Sequence, residues 1–207
     1  MDHTDAVYFE DGAAFEAWLE DNASTASHLW IRIAKKGTGV ASIDWTTAVD
    51  LALCFGWIDS LARRLDDEWY VQRFTPRRPK SVWSKINRDR IERLTAEGRM
   101  RPAGLAEVER AKADGRWDAA YDGPATATVP DDLAAALAAR NLTDTFAALD
   151  RNNRFAFLHR IQTAVRPETR ARRIQQLTDD LAQGKTPHPP AKKAAKKKAA
   201  TKKAATK

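Results

Sequence analysis

Residues 58–75 read IDSLARRLDDEWYVQRFT and indicate how the first half of the chain is built. Trp69 to Thr75 is rich in aromatic and β-branched residues, which favour a strand. Ile58 to Leu65 precedes it, and the polar segment Asp66-Asp67-Glu68 separates the two. The pattern therefore predicts two strands joined by a short turn.

The segments before this pair predict more strands and two helices. Ala6 to Phe9 and Leu29 to Ala34 are short apolar runs typical of strands. Gly12 to Asp21 has helical periodicity. Asp44 is placed to cap a further helix through its carboxylate, and Gly56 is placed to end it with a left-handed backbone.

From Ser84 onward the pattern is helical, with breaks at Gly98, Pro102 and Gly115. The predicted fold class is thus α+β: a small mixed β-sheet with helices in the N-terminal half, a helical C-terminal half and a disordered basic tail. The predicted divisions are 1–98, 99–184 and 185–207.

The charge of the chain is concentrated at its C-terminal end. The last 23 residues, Lys185 to Lys207, contain nine lysines and no acidic residue. The other 184 residues carry 26 basic and 28 acidic side chains, so the net charge of +7 comes from this segment. A cationic tail on a nearly neutral body favours a polyanionic partner for the tail.

The composition of the tail predicts disorder and non-specific phosphate contacts. It has no large apolar side chain, so nothing offsets the entropic cost of ordering it. DNA or RNA is the expected partner, and a purely solubilising role is the alternative. The candidate nucleic-acid-binding residues are Lys192, Lys193, Lys196, Lys197, Lys198, Lys202, Lys203 and Lys207.

Composition also bounds the location and the chemistry. The single cysteine, Cys54, excludes an internal disulfide and favours core packing, because no histidine lies near it in the sequence. The acidic start and the lack of a long apolar run predict a cytoplasmic protein without a membrane span. The four histidines lack metal-ligand spacing, so neither metal nor cofactor is expected.

Several strings together resemble the YdeI/OmpD-associated (bacteriocin-protection) family. They are LCFGWIDS at 53–60, RFTPRRPKSVWSKIN at 73–87, GRM at 98–100, AKADGRW at 111–117 and ETRARRI at 168–174. The resemblance extends over residues 6–187, with the family's C-terminal region at about 130–187. It implies a link to envelope stress or antimicrobial resistance, but it brings no catalytic residues to this chain.

The segment from Trp57 to Asn87 is the candidate ligand site. Its residues are Trp57, Asp59, Arg73, Arg77, Arg78, Trp83 and Asn87. Guanidinium groups near a helix start suit a carboxylate or a phosphate. A structural role explains the same residues, with the tryptophans in the core and the arginines paired to acids or carbonyls.

Two functions of different classes follow from these features. The first is a non-enzymatic protein whose tail associates with nucleic acid without sequence preference. The second is a small anionic ligand-binding protein, or an enzyme, that uses the Trp57–Asn87 segment. A protein-interaction module in a stress response is a further alternative, which rests on the resemblance alone.

Overall fold

A computed structural model of the chain describes residues 6–189. These residues form four strands and eight helices. Their bounds are β1 Val7–Tyr8, α1 Gly12–Asn22, β2 Leu29–Ala34, α2 Trp45–Cys54, β3 Trp57–Arg64, β4 Trp69–Pro76, α3 Lys85–Ala96, α4 Pro102–Ala113, α5 Asp131–Ala139, α6 Thr143–Ala147, α7 Arg151–Gln162 and α8 Pro167–Ala182.

The four strands form one mixed sheet in the order β1-β2-β4-β3. The two strands predicted around the Asp66–Glu68 turn pair antiparallel as β3 and β4, with a bulge between Asp59 and Ala62. β2 pairs antiparallel with the other side of β4, and β1 pairs parallel with β2. The predicted α+β class with a small mixed sheet is confirmed.

Local signals in the sequence set the ends of several elements. The Asp44 carboxylate accepts hydrogen bonds from the backbone amides of Thr46 and Thr47, at 2.8 and 3.1 Å, and so caps α2 as predicted. Gly56 follows α2 with a φ of 78°, a conformation that favours glycine. Pro102 begins α4.

The core of the first half lies between the sheet and its helices. β2 alternates between buried and half-buried residues, and Leu29, Ile31 and Ile33 face the core. Phe15 of α1 packs on Phe74 of β4, with ring centroids 5.8 Å apart. The alternation leaves the opposite face of the sheet outside this core.

The structure divides into two compact units, which meet in the chain between Thr128 and Val129. The sequence pattern placed a boundary at residue 98 instead, where the composition becomes helical. Helices α3 and α4 lie in the first unit. One physical reason is the close approach of α4 to α2, where the Arg101 amide donates to the Cys54 carbonyl at 3.1 Å.

The second unit consists of α5 to α8 around its own apolar core, which includes Leu133, Leu158 and Leu181. Two arginines of the basic run at 166–173 fix α8. Arg170 donates to Asp132 of α5 at 2.6 and 2.8 Å, and Arg173 donates to the Arg160 carbonyl of α7. The run therefore has a structural use, with partners distant in the sequence.

The first five residues of the predicted tail, residues 185–189, are described by the structure. The Lys185 amide donates to the Asp180 carbonyl at 2.8 Å. The His188 amide donates to the side chain of buried Asn153 at 2.8 Å, and the Asn153 amide group donates back to the His188 carbonyl at 3.0 Å. Residues 185–189 thus pack on the second unit, and the candidate lysines from Lys192 to Lys207 lie outside the described residues.

No helix between residues 6 and 189 is sufficiently long and apolar to span a membrane.

Candidate functional site: the buried Arg77 cluster

Arg77 follows directly after β4 and is held inside the first unit. Its backbone amide donates to the Gly56 carbonyl at 2.9 Å. Its guanidinium lies over the ring of Trp83, 3.4 Å from the ring centroid. Both side chains are buried, with only 6 % of Arg77 and 1 % of Trp83 exposed. Such a stack on an aromatic face is a favourable environment for a guanidinium.

Part of the hydrogen-bonding capacity around Arg77 is unused. Nη1 of Arg77 donates to the Val82 carbonyl at 3.3 Å. Nε and Nη2 of Arg77 are buried and have no hydrogen-bond partner among the described residues. Three other buried atoms also have no hydrogen-bond partner among the described residues: Nε1 of Trp83, Nη2 of Arg116 and Oε2 of Glu107. A buried unpaired donor costs roughly 1–3 kcal/mol, and more when it is charged, so several of them together require an explanation.

Burial and neighbouring charges set the pKa of Arg77. Burial lowers the pKa to about 10. Glu107, Tyr121 and Asp59 act in the opposite direction, whereas the positive charge of Arg116 adds to the lowering. Arg77 therefore remains protonated at neutral pH, and it is a desolvated cation with no direct carboxylate partner between residues 6 and 189. We call Arg77, Trp83, Glu107, Arg116 and Tyr121 the Arg77 cluster.

Two segments distant in the sequence hold the cluster in place. The Tyr121 amide donates to the Trp83 carbonyl at 3.0 Å, and the Lys85 amide donates to the Tyr121 carbonyl at 2.9 Å. Arg116 is anchored by Nη1, which donates to the Ser81 carbonyl at 2.8 Å, and by Nε, which donates to Asp114. These bonds fix the walls of the cluster independently of any ligand.

Asp59 lies on β3 and connects the cluster with a second polar group. Burial raises the pKa of Asp59, while a hydrogen bond from Nε1 of Trp45 at 3.3 Å and the charges of Arg90 and Arg77 oppose the rise. Arg90 itself donates to the buried Asp50 at 2.5 Å. Asp59 is therefore close enough to Arg77 to influence it, although Trp45 is its hydrogen-bond partner.

The structure separates the other predicted site residues. Trp57 is a core residue whose Nε1 donates to the Ala23 carbonyl at 3.1 Å. Arg73 pairs with Trp30 across β2 and β4, on the face of the sheet opposite to the core. Arg78 is exposed. Asn87 is half-buried in the first turn of α3, where its backbone amide donates to the capping Ser84 hydroxyl at 3.2 Å. Among the seven predicted residues, Arg77, Trp83 and Asp59 lie together.

Sequence reasoning did not identify Glu107 and Tyr121 as part of this site. Glu107 lies on α4 among many charged helical residues, and nothing in the local pattern distinguishes it. Tyr121 follows α4 in a loop. Arg116 belongs to the string 111–117 that carries the family resemblance, which was the one available signal.

Cys54 fits the predicted core role. It is buried, and burial raises the pKa of its thiol to about 11. A thiol with such a pKa is protonated at neutral pH and is a poor nucleophile. In the part of the chain that the structure describes, no group of three or more His, Cys, Asp or Glu residues is arranged to hold a metal ion.

The second unit has an open cleft of about 460 Å³ between α7, α8 and the residues after α8. Arg160 and Lys185 line it together with Asp180, so its charge is mixed. This cleft has no buried unpaired donor comparable to Arg77 among its described lining residues. The Arg77 cluster is therefore the stronger candidate.

Two family models match separate parts of the chain. Residues 126–184 match the model described as "Bacteriocin-protection, YdeI or OmpD-Associated". This part of the chain is similar to the YdeI/OmpD-associated family. The YdeI/OmpD-associated match includes all four helices of the second unit.

The N-terminal half of the chain matches another family model. Residues 7–107 match a different model, a domain of unknown function (DUF8412), which includes the sheet, Arg77 and Trp83. The resemblance inferred over residues 6–187 thus corresponds to two models, and the YdeI/OmpD-associated model covers the C-terminal part. No curated protein and no solved structure matches the chain.

Proposed function

We propose that the first unit of the protein binds a small anionic ligand at the Arg77 cluster. The observation that carries the proposal is the buried guanidinium of Arg77, whose Nε and Nη2 lack partners among the described residues. These two nitrogens form one edge of the guanidinium plane. That edge matches the two oxygens of a carboxylate or a phosphate, each of which accepts one hydrogen bond.

The neighbours of Arg77 favour an anion over a neutral ligand. Three further polar atoms of the cluster are buried and unpaired, and two of them, Nε1 of Trp83 and Nη2 of Arg116, are donors. Oε2 of Glu107 is the single acceptor among them. Four unpaired donors against one acceptor suit a ligand that accepts hydrogen bonds, and Glu107 then suits a hydroxyl or a bound water of that ligand.

Thermal-shift screening of the full-length protein against small carboxylates, inorganic phosphate and sulfate tests this function. A ligand that binds only the native state raises the melting temperature with concentration. We expect Arg77→Met to abolish this response. Without a ligand, Arg77→Met should melt at the same or a higher temperature, because it removes a buried charge that lacks full pairing.

Arg78→Met is the matched control, since Arg78 is the exposed neighbour in the same turn. It should keep the ligand response of the parent. The proposal would be wrong if no anion in the panel raised the melting temperature. It would also be wrong if Arg77→Met responded as the parent does, or if its unliganded form were severely destabilised, because Arg77 would then be a structural residue.

A second candidate function concerns the tail and rests on its charge. The lysines at 185–207 number nine and are accompanied by no acid, while the rest of the chain is nearly balanced. We propose that this segment associates with DNA or RNA through phosphates, without sequence preference. Each lysine that neutralises a phosphate of duplex DNA adds about 0.9 to the slope of log K against log salt.

A gel-shift salt titration compares the full-length protein with a variant in which the lysines from Lys192 to Lys207 are glutamine. The parent should show a steep salt slope, and the variant should lose it. If the tail is removed instead of neutralised, the chain should end after Pro189 and not after Gly184, because His188 bonds to Asn153 in the second unit. Equal binding by parent and variant would contradict this candidate.

A further inference from the structure

The sheet of the first unit has a face that the core does not use. One row of residues crosses all four strands on this side: Tyr8 of β1 pairs with Arg32 of β2, Arg32 with Val71 of β4, and Val71 with Arg63 of β3. At a strand spacing of about 4.8 Å, the row spans roughly 14 Å. Val71 is buried but lies outside the main core cluster, which places it beneath its neighbours on this face.

Aromatic and cationic side chains flank this row. Trp69 of β4 packs edge-on against Tyr8, with ring centroids 5.9 Å apart. The guanidinium of Arg32 lies 5.6 Å from the ring centroid of Trp69. Arg73 lies two residues beyond Val71 on the same side of β4. We call Tyr8, Arg32, Arg63, Trp69, Val71 and Arg73 the outer face.

The outer face is accessible and has one sign of charge. Tyr8 is 46 % exposed, Arg63 is exposed, and Arg32, Trp69 and Arg73 are half-buried. Its six residues include three arginines and no carboxylate. In the acidic turn at the end of the hairpin, hydrogen bonds from the amides of Trp69 and Glu68 lower the pKa of Asp66, and the charges of Lys35 and Arg32 add to the lowering. Asp67 pairs with Arg64.

From this arrangement we infer that the outer face binds single-stranded nucleic acid. Aromatic side chains on the accessible face of a four-stranded sheet are suited to stack unpaired bases, and arginines beside them neutralise the phosphates. A duplex conceals the base faces that Tyr8 and Trp69 would contact. An acidic peptide would pair with the arginines but would gain little from the aromatic rings.

This site is independent of both proposed functions. It contains no residue of the Arg77 cluster, and it contains none of the tail lysines. To separate it from the tail, binding is measured in the full-length chain whose lysines from Lys192 to Lys207 are glutamine. A fluorescein-labelled oligothymidylate or oligouridylate is the probe, and a duplex of equal length is the comparison.

We expect this tail-neutral protein to bind the single strands more tightly than the duplex and to show quenched tryptophan fluorescence on binding. Trp69→Ala should weaken single-strand binding roughly fivefold or more, whereas Trp69→Phe should retain most of it, because phenylalanine still offers a stacking surface. Arg63→Gln with Arg73→Gln should weaken binding and lower the salt slope by about 0.7 for each arginine that contacts a phosphate.

The matched control is Arg151→Gln with Arg172→Gln, which removes the same charge from exposed positions of α7 and α8. It should leave the salt slope unchanged. Circular dichroism confirms the folding of each variant, and the Arg63→Gln with Arg73→Gln variant provides the test if Trp69→Ala does not fold. The inference is overturned if the tail-neutral protein binds no single strand, binds duplex equally well, or loses nothing in the outer-face variants. Equal competition by polyglutamate would overturn it as well and would assign the face to an acidic protein.

Discussion

At the scale of single residues, the buried thiol of Cys54 makes the stability of the protein depend on pH. Burial raises the pKa of its thiol from 9.0 to about 11, so the native state keeps the proton in a range where the unfolded chain loses it. Stability from this group is fully present below pH 9 and is lost as the pH rises towards 11. The loss amounts to about 2–3 kcal/mol in the free energy of unfolding.

Denaturant unfolding of the parent and of Cys54→Ala between pH 8 and pH 11 measures this effect. The parent should lose stability more steeply than the variant over that range. The raised pKa values of Tyr70 and Tyr121 affect both proteins alike and cancel in the comparison. Parallel pH profiles for the two proteins would show that Cys54 does not titrate as its burial requires.

The sequence predicted only some of the residues that form the Arg77 cluster. The sequence singled out Arg77 and Trp83 because they lie in one distinctive string. It could not show that the charge of Glu107 acts on Arg77, because their proximity depends on how α4 packs and not on any local pattern. Conversely, Arg73 and Arg77 are close in sequence, but Arg73 points away from the core, as strand alternation requires.

At the scale of elements, the contact between α2 and α4 depends on a missing side chain. A Cβ atom on Gly104 would lie 2.2 Å from the Cys54 carbonyl oxygen. We expect Gly104→Ala to destabilise the protein by roughly 2 kcal/mol or more, because helix backbones must separate, and this exceeds the gain of up to about 1 kcal/mol in helix propensity. Chemical denaturation measures the change.

The control for this prediction is Ala106→Ser on the exposed side of the same helix, which should change stability by less than about 0.5 kcal/mol. A Gly104→Ala protein as stable as the parent would mean that the two helices do not approach so closely. The same contact explains why composition suggested a boundary at residue 98 and not the one after Thr128, since helical content does not reveal which core a helix joins.

A second element-scale prediction concerns the bonds between Asn153 and His188. Asn153→Ala removes the two hydrogen bonds with the His188 backbone, and truncation after Gly184 removes them from the other side. Each change should cost about 1–3 kcal/mol. Because both remove the same interaction, their effects should be far from additive.

Thermal or denaturant unfolding of Asn153→Ala, of the chain truncated after Gly184 and of the combined variant measures whether the two losses of stability add. A chain that ends after Pro189 serves as the control and should be as stable as the parent. Strict additivity would contradict the structure at this point. The sequence predicted a free tail from Lys185 because its prolines and lysines exclude helix, but composition could not show that Lys185 bonds to α8 and His188 to α7.

At the scale of the whole molecule, each unit has its own apolar core. The main cluster of the first unit lies between Phe9 and Ala120, and the second unit buries its own set of leucines and phenylalanines. We therefore expect the fragments 1–128 and 129–207 each to unfold cooperatively when expressed separately. Circular dichroism during heating tests this. A fragment without a cooperative transition would show that it depends on the other.

The strand order has a consequence for behaviour in concentrated solution. Both sheet edges are open to pairing in principle, but β1 has two residues, too few to serve as a template for another strand. The other edge, β3, is interrupted by its bulge and then carries Arg63 and Arg64. Such edges are poor templates for edge-to-edge pairing and strand exchange, so we expect the protein to remain free of sheet-to-sheet polymers at high concentration.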